Sequence, residues 1–244
     1  TYALPYDLYE HHRVRRYGFH GSSHAYVAKT AARFLGLPLE DLSLITLHLG
    51  NGASMAAVKN GQCIDTSMGL TPLEGLVMGT RTGDVDPAIP FFLANHLGMS
   101  LDEIDALLNK ASGLKGICGN NDMRAVLERI EKGDDRAALA LDVYTYRIKK
   151  YIGAYTAVLG KLDALVFTGG IGENAPMVRQ KACSDLPGLG IEIDKDENRS
   201  IWGTTADVGR PESKVRILII PTNEELEIAR ETKQLLARSG NQQG

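Results

Sequence analysis

The fold is decided by residues 44–67, which read LITLHLGNGASMAAVKNGQCIDTS. Three strand-like runs alternate here with two turns that contain glycine. An Asn-Gly pair between two such runs is a strong signal for a hairpin turn of the primed type. The pattern therefore predicts a meander of three antiparallel strands. The strands are residues 44–49, 53–58 and 62–67, and the turns are Gly50-Asn51-Gly52 and Asn60-Gly61.

Helical patterns surround this meander, and further strand–helix units follow it. Helices are predicted at residues 24–35 (capped by Ser22), 87–97, 122–132, 134–159 and 223–236, and a Ser100–Glu103 capping box opens one more. Buried strands are predicted at residues 163–167 and 215–220. A meander followed by strand–helix units fits a ribonuclease-H-like α/β domain with a mixed sheet and helices on both faces. The pattern leaves this as one of several possible α/β folds.

Composition and charge narrow the class of protein. The 244 residues suit one large domain or two small ones, and 43% of them are hydrophobic. The formal net charge is −3, which argues against nucleic acid or an anionic membrane as the main partner. No apolar run is long enough to cross a bilayer, so we expect no membrane partner.

The cysteines indicate the cellular compartment of the protein, and the first residues indicate whether the chain has been processed or truncated. Cys63, Cys118 and Cys183 are odd in number, far apart and without a CxxC pair. This spacing argues against a disulfide framework and a zinc site, so we expect a cytoplasmic protein. The chain opens with Thr1 rather than methionine and has no signal peptide. We therefore expect a processed or truncated chain.

Two glycine-rich loops could bind phosphate. Gly50-Asn51-Gly52 joins two strands, and glycine lets backbone N–H groups approach an anion closely. Residues 169–172, GGIG, lie between a buried strand and a helix, which is where open α/β sheets bind ligands. Each loop alone could equally be an ordinary turn, and neither is a Walker A or complete GxGxxG motif.

Arg81 lies in a glycine-rich segment that carries two acids, Asp84 and Asp86. A guanidinium group can hold two oxygens of a transferring phosphoryl group. The alternative is an Arg–Asp pair that pins the loop. His20 and His24 are four residues apart without an evident third metal ligand, so His24 is expected to have a structural or hydrogen-bonding role.

The segment after the last strand offers a carboxylate for a metal ion. Thr222 and Glu225 have capping-box spacing, which predicts a structural role for Glu225. Glu224 is then free to hold Mg²⁺ directly or through water. The alternative for Glu224 is stabilisation of the helix dipole.

Taken together and in order, these segments resemble the acetate kinase family, which belongs to the acetate and sugar kinase, Hsp70 and actin superfamily. The matching motifs span nearly the whole chain. They are RYGFHGSSH (16–24), HLGNGAS (48–54), MGTRTGD (78–84), NDMR (121–124), FTGGIGEN (167–174) and PTNEE (221–225).

The resemblance implies reversible, Mg²⁺-dependent phosphoryl transfer between ATP and acetate, which gives ADP and acetyl phosphate. It implies that His20 and Arg81 contact the phosphoryl group and the acyl substrate, and that Glu224 belongs to the Mg²⁺ site. The nucleotide-binding residues that it implies are His48, Leu49, Gly50, Asn51, Gly52, Asp122, Met123, Arg124, Gly170, Ile171, Gly172, Glu173 and Asn174.

The chain departs from the family at its beginning. It lacks the Asn-x-Gly-Ser-Ser-Ser-x-Lys phosphate loop of family members, an arginine of the acyl pocket and an essential aspartate. We therefore expect residues 1–225 to be the C-terminal nucleotide-binding domain. Residues 226–244 would be a helix and tail that pack on a missing N-terminal domain. That helix is expected to be displaced, swapped or mobile, with Leu226, Ile228, Leu235 and Leu236 partly exposed.

Three functions remain open. The first is an acetate kinase half-enzyme that is inactive or weakly active alone and dimerises through this half. The second is a kinase for another short-chain acid, with propionate favoured over butyrate. The third is a non-catalytic module that binds nucleotide and dimerises.

Overall fold

A computed structural model describes residues 1–240, with the side chains of Gln234 and residues 237–240 excepted. The strands are β1 Ser43–Leu49, β2 Ala53–Lys59, β3 Gln62–Thr66, β4 Ala164–Thr168, β5 Ala206–Asp207 and β6 Arg216–Ile219. The helices are α1 Tyr6–His12, α2 Gly21–Leu35, α3 Ile89–Leu97, α4 Leu101–Lys110, α5 Gly113–Cys118, α6 Met123–Glu131, α7 Asp135–Leu159, α8 Gly169–Asn174, α9 Pro176–Ala182, α10 Lys195–Ser200 and α11 Glu224–Gly240.

The strands form one mixed sheet in the order β3-β2-β1-β4-β6-β5. The predicted meander is confirmed, because β1 pairs antiparallel with β2 and β2 pairs antiparallel with β3. Strands β4 and β6 extend the sheet in parallel with β1, and the short β5 pairs antiparallel with β6. All three parallel strands therefore end at the same edge of the sheet.

Both faces of the sheet are covered, because alternate side chains of each buried strand point to opposite sides. Ile45, Leu47 and Phe167 belong to a core that includes α7. Leu44 and Val166 belong to a smaller core beneath α2. The predicted ribonuclease-H-like fold, with helices on both faces, is confirmed.

The connection between β3 and α3 is irregular but tightly anchored. Gly75 has φ +107°, and a Cβ there would lie 2.4 Å from the carbonyl oxygen of Ser67, so only glycine suits this position. Arg147 of α7 donates to the carbonyl oxygens of Gly75 and Asp84. Residues 75–84, which contain Arg81, are thus held against the body of the domain.

Two local predictions are wrong. Ser22 does not cap α2, because this helix already begins at Gly21 and its N-terminal flanking residue is His20, with φ 59°. The segment 169–172 is not a loop, because α8 begins at Gly169, directly after β4. Strand β5 and helices α5 and α10 were not predicted.

The start of α11 differs from the predicted capping box. Asn223, not Thr222, caps the helix, since its Oδ1 accepts the backbone N–H of Leu226 at 2.9 Å. The helix packs against α2, where Lys29 pairs with the buried Glu227. Its first turns are therefore not displaced, and the predicted domain boundary after residue 225 lies within it.

The outward side of α11 is apolar at several positions, as expected. The exposed fractions of Leu226, Ile228, Leu235 and Leu236 are 37%, 53%, 62% and 69%. A further domain that covers them stays a prediction, and residues 241–244 of the predicted tail lie outside the described residues.

Other expectations concern the thiols and the membrane. Cys63, Cys118 and Cys183 are free thiols, as predicted. Within residues 1–240, none of the helices has the length and apolarity that crossing a membrane requires.

Candidate active site

Two histidines stack at the edge of the sheet where the parallel strands end. The rings of His20 and His48 are 4.2 Å apart between centroids and 18° from parallel. His20 directly precedes α2, and His48 is the penultimate residue of β1. The packing of α2 on the sheet therefore brings together two residues that are 28 positions apart in the sequence.

Arg81 completes this cluster. A Cβ at Gly52 would lie 3.4 Å from Nη1 of Arg81 and 3.7 Å from Nε2 of His20. Arg81 donates to the carbonyl oxygen of Pro72, and no carboxylate among residues 1–240 pairs with it. The alternative of an Arg–Asp pair is wrong, since Asp84 pairs with Arg147 at 3.5 Å instead.

The hairpin that faces this cluster is fixed in place. The backbone N–H of Gly79 donates to the carbonyl oxygen of Asn51 at 3.0 Å. The side-chain amide of Asn121 donates to Oδ1 of Asn51, also at 3.0 Å. Segment 75–84 and the stretch before α6 thereby hold the Gly50-Asn51-Gly52 turn between them.

The protonation of the histidines follows from their burial. Burial is the largest cause that lowers the pKa of His20 to about 4. His48 and Arg81 lower this pKa as well, whereas the carboxylate of Glu224 acts in the opposite direction. Burial also lowers the pKa of His48. Both rings are therefore neutral near pH 7.

Glu224 lies at the same edge of the sheet. It is half-buried at the start of α11 and close enough to influence the charge of His20. Its carboxylate makes no hydrogen bond or ion pair with other residues in the described part of the chain. A free carboxylate at this position fits the coordination preference of Mg²⁺, which binds one or two carboxylates and keeps several waters.

A cleft of about 570 Å³ opens next to the hairpin. Its volume is typical of a small-molecule site. Among the residues that line it are Gly50, Asn51, Asp122, Met123, Arg124, Gly170, Ile171 and Asn174, all of which were predicted to bind nucleotide.

Five predicted nucleotide-binding residues do not line this cleft, and two of them, His48 and Gly52, lie at the histidine cluster instead. The side chain of Leu49 and the backbone of Gly172 are buried in the domain. The Glu173 carboxylate points inward, where Oε1 accepts the backbone N–H groups of Gly169 at 2.9 Å and Thr222 at 3.2 Å. Glu173 thus ties α8 to the end of β6.

The cleft also contains residues that the sequence did not single out as binding residues. They are Asn121, Leu127, Ala175 and Trp202. Trp202 is the only tryptophan of the chain and is 60% exposed. A lone exposed aromatic residue was the one available signal, but only the packing of α10 places it at the cleft.

With this geometry established, the chain was compared with known proteins. The sequence model of the acetokinase family matches residues 1–230. The chain belongs to the acetokinase family. The match covers the histidine cluster, the hairpin, the cleft and Glu224, and therefore every element of the site.

Acetokinase relatives are similar over nearly the whole chain. The acetate kinase of Syntrophobacter fumaroxidans is 58% identical over 239 residues, which are 98% of this chain and 58% of that protein. The acetate kinase of Campylobacter jejuni serotype O:2 is 56% identical over 98% of this chain and 60% of its own length. The chain thus spans about three fifths of the curated relatives that it matches.

Solved acetokinase structures share the fold. The crystal structure of Porphyromonas gingivalis acetate kinase matches with a TM-score of 0.94 and 49% identity, over 97% of this chain and 59% of that chain. A propionate kinase from Francisella tularensis matches with a TM-score of 0.89 and 49% identity, over 94% of this chain and 58% of that chain.

Proposed function

We propose that this chain is the nucleotide-binding half of a kinase that transfers a phosphoryl group between ATP and acetate. The observation that carries the proposal is the cleft, which holds the predicted adenosine-binding residues and borders the Gly50-Asn51-Gly52 hairpin, beside which Arg81, His20 and His48 lie. A carboxylate oxygen of acetate attacks the γ-phosphorus of ATP, and the bond to the β–γ bridging oxygen breaks. The products are acetyl phosphate and ADP, and the reaction is reversible.

The chain's own residues bind and orient the nucleotide. Its adenosine part lies in the cleft between α6 and α8, against Met123 and Ile171. Its phosphates follow the Gly50-Asn51-Gly52 hairpin, where the lack of a Cβ lets the backbone approach them closely. In the proposed binding mode, the γ-phosphoryl group lies beside the two histidines.

The groups beside Gly52 stabilise charge on the transferring phosphoryl oxygens. Arg81 has no carboxylate partner among the described residues, so its guanidinium group is available to an anion. His20 and His48 are neutral and contribute hydrogen bonds rather than full charges. Preorganised donors of this kind stabilise a phosphoryl-transfer transition state without reorganising during the reaction.

Glu224 would hold Mg²⁺, together with water and the nucleotide phosphates. When bound, the ion supplies positive charge that offsets the charge of the phosphate oxygens. The half-buried carboxylate, which has no hydrogen-bond partner among residues 1–240, supports this assignment.

The test is an assay of acetyl phosphate formation, with this chain alone and with the chain fused to the N-terminal segment of the Syntrophobacter relative. We expect activity only from the fusion, because this chain supplies only one side of the proposed site. Arg81→Ala in the fusion is expected to lower kcat about 10³-fold, the scale of an arginine that stabilises phosphoryl transfer. Arg136→Ala, at an exposed position of α7, is the control and should not change kcat.

Full turnover by the chain alone would refute the expectation that the N-terminal segment is needed to complete the site. ADP binding without turnover by the fusion would instead favour a non-catalytic nucleotide-binding module. Running the assay with propionate addresses the alternative substrate. That alternative is supported by the Francisella propionate kinase, which is 49% identical, as is the Porphyromonas acetate kinase.

We also propose that the chain forms a homodimer through an apolar patch on α3 and α4, defined as Phe91, Phe92, Leu97 and Leu101. Their exposed fractions are 69%, 55%, 64% and 80%. Patches of large exposed apolar side chains mark interaction surfaces. The two helices pack on each other, so the four exposed side chains lie on neighbouring helices.

A charge in this patch should break the dimer, because it would be buried without a partner. Phe91→Asp is expected to sediment as a monomer at concentrations where the unaltered chain is a dimer. Phe34→Asp is the matched control, since Phe34 is 46% exposed but lies on α2. A dimer that survives Phe91→Asp would rule out this surface.

A further inference from the structure

A buried chain of hydrogen bonds leads to His20. Its Nδ1 is 2.9 Å from Oγ of Ser54, which is 2.8 Å from Nε2 of His24. Nδ1 of His24 is in turn 2.7 Å from Oγ1 of Thr46. Ser54 and Thr46 are fully buried, and His24 is 5% exposed, so water does not replace these partners.

A second chain leads to His48. Its Nδ1 is 2.8 Å from Oγ of Ser23, and this oxygen is 2.8 Å from Oγ1 of Thr222. Ser23 is fully buried. Each of the two stacked rings therefore has its Nδ1 engaged by a serine hydroxyl.

The Nε2 atoms face the proposed phosphate site instead. A Cβ at Gly52 would lie 3.7 Å from Nε2 of His20, and one at Gly50 would lie 4.0 Å from Nε2 of His48. Both atoms thus lie beside the glycine hairpin. The proton carried by each neutral ring decides whether this nitrogen donates or accepts there.

The direction of donation in the hydrogen-bond chain of His20 follows from Thr46, the residue at its far end. If Thr46 donates to Nδ1 of His24, then Nε2–H of His24 donates to Ser54, and the Ser54 hydroxyl donates to Nδ1 of His20. Every polar hydrogen between Thr46 and Nδ1 of His20 then has an acceptor. In the opposite direction the buried Thr46 hydroxyl would have no acceptor among the described residues, and leaving a buried hydroxyl without an acceptor is unfavourable.

Donation toward the histidine ring also suits the hydrogen-bond chain of His48. If Thr222 donates to Ser23, the Ser23 hydroxyl donates to Nδ1 of His48. The reverse direction would aim a bare Nε2 lone pair at the hairpin, where the proposed function, on which this step rests, places an anion. Phosphate oxygens need donors, so the N–H form is favoured there.

We propose that these two hydrogen-bond networks fix the ring protons of His20 and His48 on Nε2. Both rings then present N–H donors to the same phosphoryl group. Ser54, His24 and Ser23 are then positioning residues, which act through the two rings and do not touch the substrate. Burial, which lowers the pKa of His24 to about 3, agrees with a neutral relay.

The test reads the ring protons directly, by long-range ¹H–¹⁵N correlation NMR of the chain without nucleotide. The signals of His20 and His48 are assigned with His20→Asn and His48→Asn. We expect both rings to carry the proton on Nε2 alone. Ser54→Ala should convert His20 to a mixture of tautomers and leave His48 unchanged, and Ser23→Ala should do the reverse.

Each serine variant is thus the matched control for the other. A proton on Nδ1 of either ring in the unaltered chain would overturn the proposal, whether or not the serine variants fold. Equal changes in both rings for both variants would also overturn it, because they would indicate a general disturbance. The measurement needs neither substrate nor turnover, so its outcome is independent of whether the enzyme transfers phosphoryl groups.

Discussion

Gly170→Leu is expected to abolish ADP binding by this chain while leaving the fold intact. Gly170 lies in the first turn of α8 and lines the cleft. A Cβ at this position would meet no atom within 4 Å, so a leucine side chain would extend into the space that the nucleotide needs. Leucine also has a higher helix propensity than glycine, so the domain should lose no stability.

We expect the Kd for ADP to rise at least about 100-fold, or about 2.7 kcal/mol. Calorimetric titration measures this directly. Trp202, the only tryptophan, lines the same cleft, so its fluorescence should respond to ADP in the unaltered chain and not in Gly170→Leu. Gly153→Leu on α7 is the control, since a Cβ there is equally free of contacts. Unchanged ADP affinity in Gly170→Leu would refute the proposed nucleotide site.

Arg179→Met is expected to lower the free energy of unfolding by about 3 kcal/mol. Arg179 is fully buried in α9. Its guanidinium donates to the carbonyl oxygens of Gly172, Glu173 and Asn198, each at 2.8 Å, and to Oδ1 of Asn198 at 2.7 Å. Methionine fills much of the same volume but leaves these acceptors unsatisfied, at about 1–3 kcal/mol each.

Part of that loss is offset, because methionine removes a cation that is costly to bury. Burial lowers the pKa of Arg179 to about 10, so the group still carries its charge near neutral pH. Urea unfolding monitored by circular dichroism measures the difference. Arg136→Met is the control, because Arg136 is exposed on α7 and should change stability by less than about 0.5 kcal/mol. An equally small effect of Arg179→Met would mean that water or movement satisfies the four acceptors.

Much of the fold could be predicted from local signals. The meander follows from alternating side chains and from Asn60-Gly61, whose turn preference acts within a few residues. The Ser100–Glu103 capping box is present for the same reason. The predictions of Ser22 and Thr222 as helix caps were wrong, because several neighbouring residues could also cap the helix. Contacts of α2 and α11 decided where these helices begin.

The contribution of distant residues could not be predicted in this way. An arginine is rarely buried completely, yet Asn198 and the end of α8 enclose Arg179. Ser23 and Thr222 are 199 positions apart and meet only because α2 packs against the sheet and against α11.

The sequence by itself determined the order of strands and helices, the family and most of the residues that line the cleft. The tertiary structure decided which atoms of those residues are available. It turned Glu173 inward, buried Leu49 and left Arg81 without a carboxylate partner in the described chain. The physical reason is that backbone preferences depend on near neighbours. The burial, partners and protonation of a side chain depend on groups that only folding brings together.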